Sequence, residues 1–427
     1  MIIRKAYKFR LKTNSEIEEL FFQFAGCNRL VWNKALALQK DSLDKTQKLP
    51  WYKDLAGKLV DWKRTEEFSF LKTAPSQTLQ QTLKFLDRAW KDAFDKKQPG
   101  KSFPGFKKKF KCADSFRYPQ GFKLEGNRVF LPKIGWVRFH KSRDIQGIPR
   151  NMTVSRRGKH WFVSIQTEQD VLIPERSVSN PYDIVGIDMG IARFVTDSTG
   201  EYIEPLNSFK KLENKLTLAQ RLLARKQKFS SNWKKQKQVV SKLHIKIADA
   251  RNDFLQKLST IMSKNHAVIV AEDLRIKNMS ASAKGDMEQP GKNVNAKAGL
   301  NKSILDQGWG NFLRMVGYKQ EWSGGIFLQV DPKNTSRTCP ACGHVSADNR
   351  KTQALFLCTE CGYTANADYV GAVNIKARGI EQLTPKGIHF DKAAGHCRDS
   401  LWRENVSSPT KQEPTEPGNR DLCLTPA

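Results

Sequence analysis

The sequence predicts a multidomain protein of mixed α+β and α/β structure. At 427 residues the chain is longer than one hydrophobic core ordinarily supports, so we expect several domains. Apolar residues recur at helical spacing between residues 15 and 97, whereas from 116 to 168 they alternate with polar residues, as in short strands. After residue 179, apolar runs that end in acidic residues alternate with long helical stretches, which is typical of an α/β sheet.

The first predicted strand has no neighbouring strand in the sequence. Residues 1–12 alternate apolar and basic side chains, and a helical segment follows them. We therefore expect this strand to pair with the strands of 116–178, with the helices of 13–115 inserted between the two. The later strands predict a small β-barrel or sandwich, and their last hairpin is expected to turn near Gly158.

A lysine-rich segment, KKQPGKSFPGFKKKFK, follows the predicted helices. It holds seven lysines between residues 96 and 111 and no acidic residue, and phenylalanines separate the charges. Lysines interleaved with aromatic rings suit a loop that follows a nucleic-acid backbone, although a solvated linker would have the same composition. The candidates for backbone contacts are Lys101, Lys107, Lys108, Lys109 and Lys111.

The net charge indicates a polyanionic partner. Lys and Arg together number 73 against 43 Asp and Glu, a formal charge of +30. From residue 380 onward 6 basic residues stand against 7 acidic ones, so the whole excess lies in residues 1–379. A basic body with a neutral tail favours nucleic-acid binding; the alternative is a basic protein without such a partner.

The sequence also predicts a cytosolic protein with no membrane partner. Its start, MIIRKAYKFRLK, lacks the apolar core of a signal peptide, and no run approaches the ~20 apolar residues of a membrane span. Half of the eight cysteines are scattered without an evident pairing, which suits a reducing compartment. They are Cys27, Cys112, Cys397 and Cys423.

Three acidic residues stand where an α/β sheet can assemble a site. Asp188 and Glu272 end apolar runs that predict strands, and Asp368 begins the predicted helix DYVGAVNIKA. Carboxylates that converged there would repel one another unless cations bound them. Such oxygen ligands favour Mg²⁺, and a pair of ions could hold the attacking and leaving oxygens of a phosphodiester. Taken singly, each acid would equally suit a turn, a strand end or a helix cap.

Four cysteines follow the spacing C-x2-C-x15-C-x2-C, which predicts a structural zinc ribbon. They are Cys339, Cys342, Cys358 and Cys361. Gly343 and Gly362 follow the two pairs, as tight knuckle turns require. Four thiolates would complete a tetrahedron and leave no open position for water, so the metal is predicted to be structural; the alternative is a redox-active dithiol. Arg337 and Arg350 flank the ribbon, and each could contact phosphate or simply be solvated.

Several segments resemble the transposon-encoded TnpB nucleases, relatives of type V CRISPR effectors. VGIDMGIARFVTDSTG, VIVAEDL, DPKNTSRTCPACG and CTECGYTANADYVGAVNI resemble the four C-terminal signatures of that family. Upstream, KAYKFRLKTNSEIEELF, PSQTLQQTLKFLDRAW, FPGFKKKFK and LPKIGWVRF resemble the family in the same order. The resemblance covers roughly residues 1–378.

The resemblance implies an RNA-guided DNA endonuclease of the prokaryotic cytosol, associated with the nucleoid when bound to DNA. A structured RNA from the transposon end would guide cleavage of double-stranded DNA beside a short target-adjacent motif, leaving 5′-phosphates. The acids of a RuvC-like, RNase H-fold domain fall on Asp188, Glu272 and Asp368, which would bind two Mg²⁺ ions. Candidates for reading the motif, which would equally suit a plain solvent-facing helix surface, are Ser76, Gln77 and Gln80.

The chain departs from the family pattern around the last acid. The family often has Asp-Arg before it and Asn-Ala after it, whereas this sequence has Asn366-Ala367 before Asp368 and Val370-Gly371 after it. The three acids themselves are retained, so the departures concern the residues that surround the metal ligands, which tune rate and metal affinity.

The expected domains combine these observations. A helical recognition lobe (13–115) is inserted in a wedge-like β-barrel (1–12 and 116–178), and a RuvC-like domain (179–334 and 363–380) contains the zinc ribbon (335–362). Residues 381–427 predict a poorly ordered tail, and residues 276–303, rich in Ser, Gly, Asn and Lys, are expected to be mobile.

Two rival functions remain open from the sequence. A guided, cleavage-silent DNA-binding repressor predicts the loss of at least one acid, and all three are present. A DNA-joining transposase would act without a guide, and the zinc ribbon and the lysine-rich segment fit it poorly.

Overall fold

The computed structural model describes residues 1–98, 100–109, 112–173, 176, 178, 180–285 and 289–383. They form two compact units, one spanning Met1–Leu172 and a second that begins at Ile173. Helices and strands occur together in both units, so the fold is mixed α and β, as predicted. Within the part of the chain that is described, no helix is long and apolar enough to cross a bilayer.

The N-terminal unit consists of one strand, three helices and six further strands. In chain order they are β1 (Ile2–Arg10), α1 (Ser15–Asp44), α2 (Tyr52–Arg64), α3 (Ser76–Phe94), β2 (Ser115–Tyr118), β3 (Lys123–Glu125), β4 (Arg128–Leu131), β5 (Gly135–Arg138), β6 (Ile148–Arg157) and β7 (His160–Asp170).

The first strand completes a sheet built by the end of the unit. β1 lies antiparallel to β7, in register from Ile2 opposite Asp170 to Arg10 opposite Phe162. This pairing confirms that the helices are inserted between a strand and its sheet. The order of the sheet is β1-β7-β6-β2, and β6 turns into β7 at Gly158, whose φ of 61° lies in the left-handed region that glycine tolerates best.

The strands of this unit do not close into a barrel among the residues that the structure describes. β3, β4 and β5 form a separate three-stranded sheet, and an isolated bridge between Leu11 and Phe139 links the ends of the two sheets. The predicted wedge-like barrel is therefore not confirmed. Sheets and helices share one core, in which Phe21 of α1 contacts Trp161 of β7 with ring centroids 5.0 Å apart.

The C-terminal unit alternates strands with long helices. In chain order they are β8 (Ile184–Asp188), β9 (Val195–Asp197), β10 (Tyr202–Ile203), α4 (Ser208–Ala224), α5 (Ser231–Asn265), β11 (Val268–Glu272), α6 (Ile276–Met279), α7 (Val294–Gln307), α8 (Trp309–Ser323), β12 (Ile326–Val330), β13 (Leu355–Leu357), β14 (Thr364–Asn366) and α9 (Ala367–Leu383).

A five-stranded sheet with the order β10-β9-β8-β11-β12 forms the centre of this unit. β8, β11 and β12 are parallel, while β9 and β10 are antiparallel to their neighbours. Because side chains alternate along a strand, the sheet has two apolar faces. Val185, Ile187, Ile269 and Ala271 pack in the core that contains α5 and α8, whereas Ile184, Val268 and Val270 pack with Ile375 of α9.

Two segments differ from the sequence-based expectations. The segment expected to be mobile, 276–303, contains most of helix α7 (Val294–Gln307), and the last turn of this helix, just beyond that segment, buries Ile304 in the core of the unit. Helix α9 continues to Leu383, three residues into the predicted tail. The rest of that tail, 384–427, lies outside the described residues.

Candidate active site and metal centre

Asp188 and Glu272 lie side by side at the ends of two parallel strands. Ala271 of β11 is in register with Ile187 of β8, and each acid is the next residue along its strand. Ile187 and Ala271 face α5 and α8, so the alternation of side chains turns both carboxylates toward α9. The apolar strands thus bring two acids together on one face, at their carboxyl ends.

Asp368 reaches the same region from helix α9, of which it is the second residue. The helix begins there because the side chain of Asn366 accepts hydrogen bonds from the backbone N–H groups of Asp368, at 3.0 Å, and Tyr369, at 3.3 Å. The side chain of Asn366 therefore serves as the helix cap.

Small residues let α9 lie directly on β8. A side chain at Gly186 would collide with the backbone of Ala372 and Lys376 in the helix. A Cβ at Gly371 would lie 2.9 Å from the Oδ2 atom of Asp188. The close approach brings the first turns of α9 against the carboxylate of Asp188, and it gives a structural reason for glycine after Val370.

The carboxylates influence each other electrostatically. Burial raises the pKa of Asp188 to about 7, and the negative charges of Glu272 and Asp368 add to the rise. Burial also raises the pKa of Glu272, while a hydrogen bond from Thr335 opposes that change. The Thr335 hydroxyl donates to Glu272 Oε1 at 2.5 Å. Clustered acids with perturbed pKa values are a frequent feature of functional sites and a poor choice for mere structural support.

Arg350 supplies a positive charge to this group of acids. Its Nη2 lies 3.5 Å from Oδ1 of Asp368, and its charge lowers the pKa of both Asp188 and Glu272. The sequence marks Arg350 as a possible phosphate contact beside the ribbon, but it does not predict the contact with Asp368. That contact depends on how the segment between the two cysteine pairs folds.

The four cysteines converge on one point. The Sγ atoms of Cys339 and Cys361, and those of Cys342 and Cys358, are 3.6 Å apart, and all four lie within 4.8 Å of one another. A tetrahedral zinc with Zn–S bonds of about 2.3 Å places its sulfurs about 3.8 Å apart. The donor set and its geometry are therefore compatible with a structural zinc ion.

Two tight turns shape the cysteine cluster. Gly343 and Gly362 have φ values of 78° and 73°, and their N–H groups donate to the carbonyls of Cys339 and Cys358 at 3.0 and 3.1 Å. These are the left-handed positions that the sequence predicted after each cysteine pair, and glycine accepts them without steric cost.

The zinc-ribbon segment (residues 335–362) contacts two of the carboxylates and helix α9. Thr335 bonds Glu272, Arg350 lies beside Asp368, and the buried amide of Asn374 in α9 donates to the carbonyls of Thr335 and Thr338 at 2.7 and 2.8 Å. The segment consequently positions α9 and contacts two of the three acids.

The two clusters differ in compactness. Among the described residues, the four cysteines form a compact group of possible metal ligands. Their sulfur atoms all lie within 4.8 Å of one another. The carboxylates of Asp188, Glu272 and Asp368 do not form such a group among the described residues. Carboxylate oxygens are nonetheless the ligands that Mg²⁺ prefers, and the residues present fit such an ion chemically.

The predicted motif-reading residues lie at the start of α3 in the N-terminal unit. Ser76 is exposed, and its hydroxyl accepts a hydrogen bond from Lys63 Nζ at 2.9 Å. Gln77 is half-buried, and its Oε1 is buried without a hydrogen-bond partner in the described structure. Gln80 is exposed. The three residues share one helix end, and nothing in their contacts assigns them a ligand.

The lysine-rich segment divides into packed and exposed side chains. Lys107 is half-buried: its Nζ lies 3.6 Å from the ring centroid of Trp32, and burial lowers its pKa. Lys101, Lys108 and Lys109 are exposed, although Lys101 is 3.9 Å from Asp92. Lys111 lies outside the described residues. In the C-terminal unit, Arg337 is exposed.

Three family models match this chain. They are "Probable transposase" (OrfB_IS605) over residues 162–283, "Cas12f1-like, TNB domain" over 309–375, and "Helix-turn-helix domain" (HTH_OrfB_IS605) over 1–48. The second match spans the four cysteines and Asp368, and the third spans β1 and α1.

Two relatives match nearly the whole chain. The protein described as "Putative RNA-guided DNA endonuclease InsQ" from Escherichia coli (strain K12) is 47% identical over 96% of this chain and 98% of its own length. A "Putative RNA-guided DNA endonuclease" from Streptomyces pristinaespiralis is 32% identical over 96% of each chain. Among solved structures, the cryo-EM structure of the Cas12f1-sgRNA-target DNA complex aligns with 88% of this chain and 99% of its own, with 13% identity and a TM-score of 0.45. Identity at this level over the full length establishes that the chain belongs to the transposon-encoded TnpB family of RNA-guided nucleases.

Proposed function

We propose that the protein is an RNA-guided DNA endonuclease that hydrolyses phosphodiester bonds with Asp188, Glu272 and Asp368. The observation that carries this proposal is the burial of Asp188 on the α9 face of the sheet, where the negative charges of Glu272 and Asp368 add to the rise of its pKa to about 7. Full-length similarity to relatives described as RNA-guided DNA endonucleases supports the same function.

The three carboxylates are the proposed ligands of Mg²⁺. When bound, Mg²⁺ would stabilise negative charge on the phosphodiester and make water a better nucleophile. Asp188 and Glu272 would hold the ligand oxygens at fixed strand ends, and Asp368 would approach from α9. Thr335 would orient Glu272 through its hydrogen bond, and Arg350 would limit the repulsion between the acids.

The two units of the fold have different proposed roles. The mixed five-stranded sheet with α9 would be a RuvC-like, RNase H-fold nuclease domain, with residues 335–362 as its zinc ribbon. The inserted helices, 13–115, and the strands around them, 1–12 and 116–178, would bind the guide RNA and read a short motif in double-stranded DNA. The candidates for that reading remain Ser76, Gln77 and Gln80, and the exposed lysines would contact the backbone. A transposon-end origin of the guide RNA is part of this proposal.

The proposal is tested by purifying the full chain and sequencing the RNA that accompanies it. We expect one RNA of defined sequence, Mg²⁺-dependent cutting of duplex DNA that matches its guide, and loss of cutting with retention of RNA in Asp188→Ala. Active protein without RNA would instead support a transposase. Guided binding without cutting by the wild-type chain would support the repressor.

A further inference from the structure

One face of the three-stranded sheet of β3, β4 and β5 is open to solvent and carries aromatic and charged side chains. Antiparallel register places Lys123, Phe130 and Trp136 in one cross-strand row and Glu125, Arg128 and Arg138 in the next. Period-two alternation puts both rows on the same side. We call these six residues the hairpin face. Every member except Phe130, which is partly buried, is exposed.

The opposite side of this sheet already supplies its packing. Val129, Leu131 and Val137 are at most 1% exposed and belong to the core of the N-terminal unit. The aromatic rings of the hairpin face are therefore not needed to fill that core. Trp136 remains 39% exposed, which leaves a large flat ring facing water.

The rings of the hairpin face form a platform with a cation against it. The centroids of Phe130 and Trp136 are 5.6 Å apart at an interplanar angle of 63°. The guanidinium carbon of Arg128 lies 4.7 Å from the Trp136 centroid, while its Nη2 pairs with Glu125 at 2.5 Å. This ion pair holds the guanidinium beside the tryptophan.

The charge of the hairpin face is complementary to a phosphate backbone. Three cations accompany a single acid, and that acid is engaged by Arg128. For Lys123 and Arg138 the described structure contains no ion pair. Aromatic rings beside unpaired cations suit nucleotides whose bases stack on the rings while their phosphates contact the cations.

We propose that the hairpin face binds unpaired nucleotides of the guide RNA, with a base stacked on Trp136 and the adjacent phosphates held by Lys123 and Arg138. This inference rests on the proposed function for the identity of the RNA. Structured RNA presents unstacked bases in its loops and ends, whereas duplex DNA keeps its bases inside the helix. An exposed stacking surface therefore favours the RNA as occupant.

The experiment uses the full chain after removal of the RNA that accompanies it, without Mg²⁺ or target DNA, and an oligouridine probe of about ten nucleotides that contains 4-thiouridine. Ultraviolet crosslinking followed by mass spectrometry should map the probe to peptides that contain Phe130 or Trp136. In a fluorescence titration at near-physiological salt, Trp136→Leu should weaken binding about tenfold, and Trp136→Phe, which keeps a ring, should retain most of it.

The matched control is Tyr202→Leu, which removes a ring that is 38% exposed and lies 4.0 Å from the Arg193 guanidinium in the C-terminal unit. It should leave the affinity for the probe unchanged. Equal weakening by both variants, unchanged binding by Trp136→Leu, or crosslinks confined to other segments would overturn the inference. So would weakening that appears only with the matching oligothymidine DNA. Melting temperatures of all variants identify any loss that comes from misfolding.

The two proposals fail differently. If the wild-type chain binds the probe and cuts guided DNA but Trp136→Leu behaves like it, only the hairpin face is wrong. If the wild-type chain carries no RNA and binds none, the proposed function fails as well.

Discussion

The two ligand clusters of the C-terminal unit are built in opposite ways. The four thiols come from two short turns, and their sulfurs lie within 4.8 Å of one another. The three carboxylates come from two strands and a helix distant in sequence. Geometry that is complete in the protein alone suits a structural ion, whereas buried acids such as Asp188 and Glu272, whose pKa values are raised, suit ions that act on a substrate.

The two clusters would have opposite effects on the stability of the folded protein. Local turns shape the zinc-ribbon segment, and closed coordination of a metal by the four thiols would add folding free energy there. Burying Asp188 beside two acids destabilises the folded state when the carboxyl is ionised. The proposed roles follow this difference: the thiol cluster would stabilise the fold, and the carboxylates would serve function at some cost to stability.

The largest expected effect comes from removing a charge at a strand end. Glu272→Gln should lower the rate of guided DNA cleavage by about 10³-fold or more, because the change removes a proposed ligand and leaves the shape of the side chain. The control is Asp273→Asn, which alters the exposed acid next to it. Cleavage assays on the same duplex DNA compare the rates of the two variants. A similar loss of cleavage rate in both variants would show that the strand end tolerates no substitution. The result would then give no support to Glu272 as a metal ligand.

The next effect concerns the thiol cluster. Cys358→Ser should abolish stoichiometric zinc and lower the free energy of unfolding by about 3 kcal/mol or more, because three ligands hold the ion less well than four. Cys112→Ser is the control, since this thiol lies outside the cluster and donates a hydrogen bond to the Lys108 carbonyl. Elemental analysis and thermal melting provide the readouts. Unchanged zinc content together with unchanged melting would contradict a zinc ribbon.

The carboxylate cluster predicts a pH dependence of stability. The pKa of Asp188 rises from 3.8 to about 7 on folding, so the folded state binds the proton more tightly than the unfolded state. The stability that Asp188 contributes is fully present at pH values below its pKa in the unfolded state. It is lost as the pH rises toward the pKa of Asp188 in the folded state.

Asp188→Asn, which stays neutral, should therefore be more stable than the wild type by about 1–3 kcal/mol above neutral pH in chelator. The difference should shrink to nearly zero near the unfolded pKa of 3.8. Denaturant unfolding across this pH range measures it. If the difference in free energy of unfolding between the two proteins did not change with pH, the raised pKa of Asp188 could not be its cause.

A smaller effect should follow from Arg350. Arg350→Met removes the charge that opposes repulsion among the acids, so the pKa of Asp188 should rise further. We expect cleavage to slow by about tenfold and its pH profile to move to higher pH, with Arg350→Lys recovering part of the rate. Arg337→Met, an exposed arginine in the same segment, should leave the profile in place. An unshifted profile in Arg350→Met would remove Arg350 from the site.

The sequence predicted the parts of the site that local patterns determine. Asp188 and Glu272 ended apolar runs, and the cysteine spacing specified two turns, so each could be located from neighbouring residues. Arg350 and Thr335 could not, because their contacts with Asp368 and Glu272 depend on how residues 335–362 fold against the sheet.

Long-range strand pairing set a similar limit on the fold. The pairing of β1 with β7 could be inferred because a lone strand needs a partner, and it was confirmed. Closure of a barrel depends instead on whether edge strands meet, and alternation along each strand carries no information on that. The hairpin face was missed for the same reason: Phe130 and Trp136 become neighbours only through cross-strand register.

The central claim is that three acids remote in sequence share cations, and the stabilisation of the metal-free full chain by Mg²⁺ tests it most directly. At constant ionic strength and mildly alkaline pH, Mg²⁺ should raise the melting temperature of the wild type and of Asp273→Asn, because a ligand that binds the folded state stabilises it. The rise should disappear in each of Asp188→Asn, Glu272→Gln and Asp368→Asn. A rise that persists at its wild-type size in any one of these three variants would contradict the shared site.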